Sequence, residues 1–238
     1  IHEYIRDHFS EWFPDLPSYQ SYNRRLNRLS AVFAPLVEEA LSEVRCTQTR
    51  KEAIRIADSM PIMLAKGQRA SQAKVASERF ASVGYCSSKD TFFHGVKLHL
   101  VVERRSENLP VPKRAGLTPG SENDLRALRR VLPTIEGGVL CGDKAYCDGP
   151  LKERLAEDQD FDLLTPVKQD KGQKTLPAAD KLFSEAVSRL RQPIESLFNW
   201  INEKTDIQRA SKVRSYQGLL VHAFGRLAAA MLLLALNP

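Results

Sequence analysis

The chain has 238 residues, 42% of them apolar and 27% charged, with 35 Lys and Arg against 29 Asp and Glu for a formal charge of +6. That composition can bury a core and excludes an intrinsically disordered chain. The charged first ten residues exclude a signal peptide there, and four cysteines with no CxxC pair exclude a disulfide framework and argue against a zinc site. Reduced thiols and a cytoplasmic setting are expected. The chain opens at Ile1, so a missing N-terminal piece is expected too.

Residues 1 to 50 read as a helical segment. Tyr4, Ile5, Phe9 and Phe13 recur at helical spacing. Beyond Pro14 and Pro17, with Ser18 as an N-cap, Leu26, Leu29, Val32, Phe33, Leu36, Val37 and Leu41 predict a continuous apolar stripe. Arg24, Arg25 and Arg28 lie off it, as a solvated face or a phosphate-contacting one. Trp12 and Trp200 fall in helical apolar patterns and are read as core or interface.

From residue 51 the pattern changes to alternating strands and helices. The run Ala53 to Ala57 predicts a short buried strand ending at Asp58, and Lys66 to Ser82 a small, polar excursion. Phe92 to Arg105 alternates with a period of two and places His94 and His99 on opposite faces, as surface or satisfied partly buried groups. A Pro- and Gly-punctuated edge strand follows, then a helix from Ser121, as N-cap, to about Leu132. Val139 to Cys141 is a second short buried strand, delivering Asp143 at its end. Asp148 to Asp158 predicts a helix, Phe161 to Leu164 a strand, and Lys168 to Lys181 a loop. A helix over about Ala179 to Thr205 contains Pro193, expected to start, kink or re-register it. A last helix covers about Tyr216 to Leu236. Its apolar stretch, Leu227 to Leu236, is ten residues, short of the roughly 20 of a membrane span, so a core helix and no membrane partner are expected. The whole is an α/β domain with a mixed sheet.

Three acids stand apart. Asp58 and Asp143 end buried strands, where sites form in open α/β sheets, and Glu195 sits amid apolar helix positions. Clustered carboxylates repel one another and are costly to desolvate. A hard divalent cation relieves both problems, and two such ions suit in-line displacement at a phosphodiester. The alternative is that each acid is an ordinary cap, turn or ion-pair residue.

In order along the chain stand Phe13-Pro14-Asp15-Leu16-Pro17-Ser18-Tyr19 with Asn23-Arg24-Arg25-Leu26-Asn27, Ala57-Asp58-Ser59-Met60-Pro61, and Phe93 to His99. Thr118-Pro119-Gly120-Ser121-Glu122-Asn123-Asp124, Gly142-Asp143-Lys144-Ala145-Tyr146 and Arg191 to Phe198 follow. This series resembles the DDE transposases of bacterial insertion sequences, which carry a carboxylate triad on a ribonuclease-H-like fold. The resemblance implies a ribonuclease-H-like catalytic domain over residues 51–238, preceded by a truncated DNA-binding or linker segment over 1–50. It implies Asp58, Asp143 and Glu195 as catalytic residues and metal ligands for Mg²⁺, with Mn²⁺ as a substitute and two ions bound. Arg191, four residues before the glutamate, is implied to hold a phosphate or orient the acid. Ser188 and Asn202 stand where many relatives have Tyr and Lys. The activity implied is cleavage at transposon ends and strand transfer into target DNA by a nucleoid-associated cytoplasmic protein, a homodimer or higher assembly. The alternatives are a domesticated remnant that only binds DNA and a nuclease without strand transfer.

If DNA is the partner, the charge near Glu195 is its counterpart. Residues 165–214 carry ten basic and six acidic side chains, a net +4. Lys144, Lys168, Lys171, Arg189, Arg191 and Lys204 are the expected DNA contacts.

Overall fold

The structure, a computed structural model, describes residues 2–43, 53–77, 80–135, 137–159 and 161–236. The expected domain boundary at residues 50 and 51, and Cys46, lie outside the described residues.

Helix α1 (His2–His8) and α2 (Tyr19–Arg28) precede α3 (Phe33–Glu43). The predicted continuous stripe is broken, because a 3₁₀ turn over Ser30–Val32 separates α2 from α3. Val37 and Ala40 are buried, whereas Leu29, Val32 and Leu36 stay exposed. Ser18 caps α2 as expected, its Oγ accepting the Ser21 N–H at 3.3 Å. Trp12 is 78% exposed and therefore not core, while Trp200 packs against the core.

The sheet is built from β1 (Ile54–Lys66), β2 (Ser82–Cys86), β3 (Thr91–Glu103), β4 (Val111–Pro119), β5 (Gly138–Cys141) and β6 (Phe161–Leu164). Its order is β2-β3-β1-β5-β6, with β4 also on β3. The β1–β3, β2–β3 and β3–β4 pairs are antiparallel, and β1–β5 and β5–β6 are parallel. This is the mixed sheet flanked by helices that a ribonuclease-H-like domain requires. Alternation along β3 separates the two faces. Val96, Leu98, Leu100 and Val102 join Ile56 and Met60 in a core with α6 (Ala178–Thr205), α7 (Tyr216–Leu236) and α3. On the other face, Ala57, Val101, Leu140 and Leu163 pack with α4 (Asp124–Val131) and α5 (Gly149–Gln159).

Four expectations need correction. First, β1 does not stop at Asp58 but runs eight residues further, through Pro61. The β5 pairing ends at Ile56 opposite Cys141, and beyond that point this side of β1 meets no strand among the described residues, only an isolated bridge from Met63 to Arg209. The Met63 N–H points to that open side, donating to the Gln208 carbonyl at 2.8 Å. Backbone alternation puts the Pro61 nitrogen on the same side, where a missing donor breaks no ladder bond. Second, the N-cap of α4 is Asn123, whose side chain accepts from the Arg126 N–H, and not Ser121. Ser121 instead bonds Ser82 of β2. Third, α6 runs uninterrupted for 28 residues through Pro193. Buried Ile194, Leu197 and Ile201 hold it on the sheet, and that packing outweighs the lost helix bond. Fourth, β2 had no sequence counterpart. Its centre is Gly84, where an added Cβ would meet the Gly120 carbonyl oxygen at 2.2 Å.

By length and composition alone α7 is apolar enough to cross a membrane. Here it packs on α3 and α6. His222 Nε2 bonds the Ile207 carbonyl at 2.8 Å, and Arg226 bonds the Thr205 carbonyl. The chain thus satisfies the two polar side chains in the middle of the helix, His222 and Arg226, internally.

Candidate active site

The parallel register of β1 and β5 pairs Ile56 with Cys141, and an aspartate follows two residues on in each chain segment, Asp58 within β1 and Asp143 just past the end of β5. Asp58 and Asp143 are therefore neighbours at the end of the β1–β5 pairing, close enough for the Asp143 charge to act on Asp58. By strand alternation Asp58 shares the Ile56–Met60 face, the one that α6 covers. Arg191, on α6, donates from Nη2 to Asp58 Oδ2 at 3.2 Å, while Asp58 Oδ1 accepts the Ser59 N–H at 2.8 Å. Burial pushes the Asp58 carboxyl up to about 6. The Arg191 charge and the Ser59 N–H oppose that rise, and the Asp143 and Asp124 charges add to it. The Nε of Arg191 is buried with no hydrogen-bond partner among the described residues.

Asp143 begins a 3₁₀ turn over Lys144–Tyr146, its Oδ1 accepting the Ala145 N–H at 2.7 Å. Tyr146 folds back under this turn and is buried. Gly142 permits it, since a Cβ there would lie 2.9 Å from the tyrosine Cβ and ring. Burial and then the nearby carboxylates drive the Tyr146 hydroxyl strongly toward its neutral form. Burial likewise pushes the Cys141 thiol up to about 11, so it is an inert core group.

A cleft of about 650 Å³ opens beside Asp143, lined by Lys144, Lys181, Ser188, Arg189 and Arg191 among others. Three of the expected DNA contacts thus share one cleft. Lys168 and Lys171 are exposed on the loop before α6 and do not line it, and Lys204 pairs with Glu203 at 3.3 Å in the last turn of α6. Lys181 lines the cleft without having been singled out from the basic run. Ser188 donates back to the Ser184 carbonyl at 2.8 Å. Asn202 closes the end of α6, its Oδ1 accepting the Gln208 N–H at 3.2 Å.

Glu195 sits one helical turn beyond Arg191 and is exposed. Among the described residues no group of three His, Cys, Asp or Glu lies close enough to hold a metal ion. The structure therefore brings Asp58 and Asp143 together and leaves Glu195 outside them. The two aspartates suit a hard divalent cation in chemistry, being oxygen donors that repel each other and have one guanidinium between them and neutrality.

Two further polar groups were not legible as site residues. Asp124, in the first turn of α4, pairs with Lys97 Nζ at 2.9 Å, and Lys97 also donates to the Glu122 carbonyl at 3.0 Å. The charge of Asp124 reaches Asp58, His99 and Tyr146. The only sequence signal was an acid in a helix's first turn, which is also what ordinary capping produces. His99 bonds Thr118 Oγ1 at 2.7 Å, and burial lowers it to about 4, so it is neutral at pH 7. His94 is buried and bonds the Val75 carbonyl at 2.9 Å.

A family model described as a transposase DDE domain matches residues 48–215, well over half the chain and all three acids. The chain belongs to the DDE transposases. No curated protein and no solved structure matches it. As a DDE transposase its function is of the transposase type and its partner is DNA, and the family uses divalent metal ions.

Proposed function

We propose that this transposase cleaves a phosphodiester at the ends of an insertion sequence and joins the freed 3′-hydroxyl to target DNA. Asp58, Asp143 and Glu195 are its catalytic carboxylates. The observation that carries the reading is the pair of aspartates brought together at the end of the β1–β5 pairing, with Asp143 opening on a basic cleft.

Asp58 and Asp143 would hold divalent cations, two Mg²⁺ with Mn²⁺ as a substitute, and Glu195 would complete the set from α6. When bound, the ions supply Lewis acidity at the scissile phosphate. The protein's own groups do the rest. The Asp143 side chain is fixed by the Ala145 N–H and Asp58 by the Ser59 N–H, so neither must reorganise during the reaction. Arg191 neutralises Asp58 and carries a buried, unpartnered Nε–H, a donor suited to a phosphate oxygen. Lys144, Lys181 and Arg189 supply positive charge along the cleft for the DNA backbone. Water attacks phosphorus in line, a P–O bond forms as the bond to the departing 3′-oxygen breaks, and that oxygen leaves as a hydroxyl. The same hydroxyl then attacks a target phosphodiester in an equivalent displacement.

Residues 1–50 serve as a DNA-binding and linker segment ahead of the catalytic domain at 51–238. The active complex is a homodimer or larger, since two ends must be joined in one event, and it acts in the cytoplasm on the nucleoid. The test is a labelled duplex carrying the element's terminal sequence, incubated with the protein and Mg²⁺ or Mn²⁺. Metal-dependent nicking and joined products are expected. Nicking without joined products would reduce the protein to a nuclease, and binding without nicking to a DNA-binding remnant.

A further inference from the structure

A second groove lies away from the acids, between α2 and the turn that leads into α7. Its volume is about 780 Å³. One wall is a continuous stripe of α2, Gln20, Asn23, Arg24, Asn27 and Arg28, residues spaced three and four apart and so on one helical face. Ser215 and Gln217 form the opposite wall. None of these residues lines the cleft beside Asp143.

The lining is unusual in what it lacks. No acidic and no aliphatic side chain contributes. Helix α2 itself has three arginines, no acid and no buried residue. Arg24 and Arg28 are exposed, and among the described residues neither forms an ion pair. The helix is nevertheless held in place, capped by Ser18 and packed on α7. Arg, Asn, Gln, Ser and Tyr are the side chains that contact phosphate oxygens and sugars in protein–DNA complexes, and every lining residue is one of them. A cationic partner would meet like charge, and an anionic one would find two arginines with no acid to compete for them.

We propose that this groove seats the sugar-phosphate backbone of duplex DNA, as a contact separate from the cleavage cleft. Arg24 and Arg28, one helical turn apart, engage phosphates of one strand, and the amides between them hydrogen-bond the same backbone. The contact positions DNA and does not read its sequence. It rests on the transposase reading, which makes DNA the partner.

The test is duplex binding by the whole chain, followed by fluorescence anisotropy across a salt series in chelator, so that no cleavage occurs. Arg24→Ala/Arg28→Ala should bind about tenfold more weakly or worse, and the slope of log K against log salt should fall by about 2. The loss should be equal on a terminal-sequence duplex and an unrelated one. Lys152→Ala/Arg154→Ala, an equal loss of charge from exposed positions of α5, should bind as wild type does. Arg24→Lys/Arg28→Lys should restore binding to within about threefold, because a point charge suffices for a phosphate. Loss by the groove variant no greater than loss by the α5 variant would overturn the groove, as would a loss confined to the terminal sequence. Failure of the wild type to bind any duplex is a different result, and it would remove the transposase reading itself.

Discussion

The two aspartates and the glutamate are held in different ways. Asp58 lies in β1 and Asp143 just past the end of β5, where the register that aligns Ile56 with Cys141 also aligns the acids. Displacing Asp58 means breaking β1–β3 pairing, and displacing Asp143 means opening the 3₁₀ turn that its side chain caps. Glu195 sits on a helix whose core residues Ile194, Leu197 and Ile201 are fully buried while its own side chain faces solvent. The helix is fixed, but the carboxylate is not. On the proposed reading, a site divided this way has a preformed half and a half that must close, and the residue assigned to close it is one turn from Arg191, which already touches Asp58.

The most severe way to break that comparison is to remove one carboxylate from each half. Asp143→Asn and Glu195→Gln should each lower metal-dependent nicking in single-turnover assays by about 10³-fold or more, a loss of several kcal/mol of transition-state stabilisation. Nicking by Glu195→Gln within about tenfold of wild type would sink the closing role of Glu195 and leave a two-carboxylate site. The fixed part of the same helix gives the next largest effect, and it is on stability. Leu197→Ala should cost about 2–5 kcal/mol in urea unfolding, whereas Glu195→Ala, two residues away, should stay within about 0.5 kcal/mol. Equal costs would mean that Glu195 is structurally engaged and the helix is not divided as described.

The preformed half carries a cost of its own that pH exposes. Asp58 is raised from 3.8 to about 6, chiefly by burial. The folded protein then binds this proton more tightly than the unfolded chain. Stability from this group is full below its unfolded pKa and is lost as pH rises through about 6. In chelator at pH 7.5 or so, Asp58→Asn should therefore be more stable than wild type by up to about 3 kcal/mol, with the gap closing below about pH 4. Denaturant midpoints measured across that range check the sign. A variant that is less stable at neutral pH would mean that Arg191 more than compensates the buried charge.

How much of this was legible follows the same division. Period-two alternation gave β3 and its two faces, and apolar runs located Asp58 and Asp143. These are local signals, and the sheet turned them into neighbours. What stayed hidden depends on partners remote in sequence. The length of β1 past Pro61 depends on where β5 stops. The continuity of α6 through Pro193 depends on the sheet beneath it, and β2 depends on Gly84 meeting Gly120. Glu195 and Arg191 were read by resemblance as one word. Their spacing says they share a helix face, but only packing decides that one reaches Asp58 and the other faces water. Asp124 was invisible as a site residue because a first-turn acid looks the same whether it answers a helix dipole or a lysine across the sheet.

The smallest effect tests that last residue's support. Helix α4 starts at Asp124 because Asn123 accepts the Arg126 N–H at 3.2 Å. Loss of a capping side chain costs about 1 kcal/mol, so Asn123→Ala should lower stability by that amount, and Asn123→Asp, which keeps the acceptor, should not. Ser121 lies two residues earlier and bonds the exposed Ser82 hydroxyl. Removing its side chain should cost no more than about 0.5 kcal/mol. Denaturant unfolding of the three variants separates these positions. If Ser121→Ala is the costlier change, the helix begins earlier than described, and Asp124 is a helix-interior residue instead of the first-turn acid that Lys97 ties to the sheet beside Asp58.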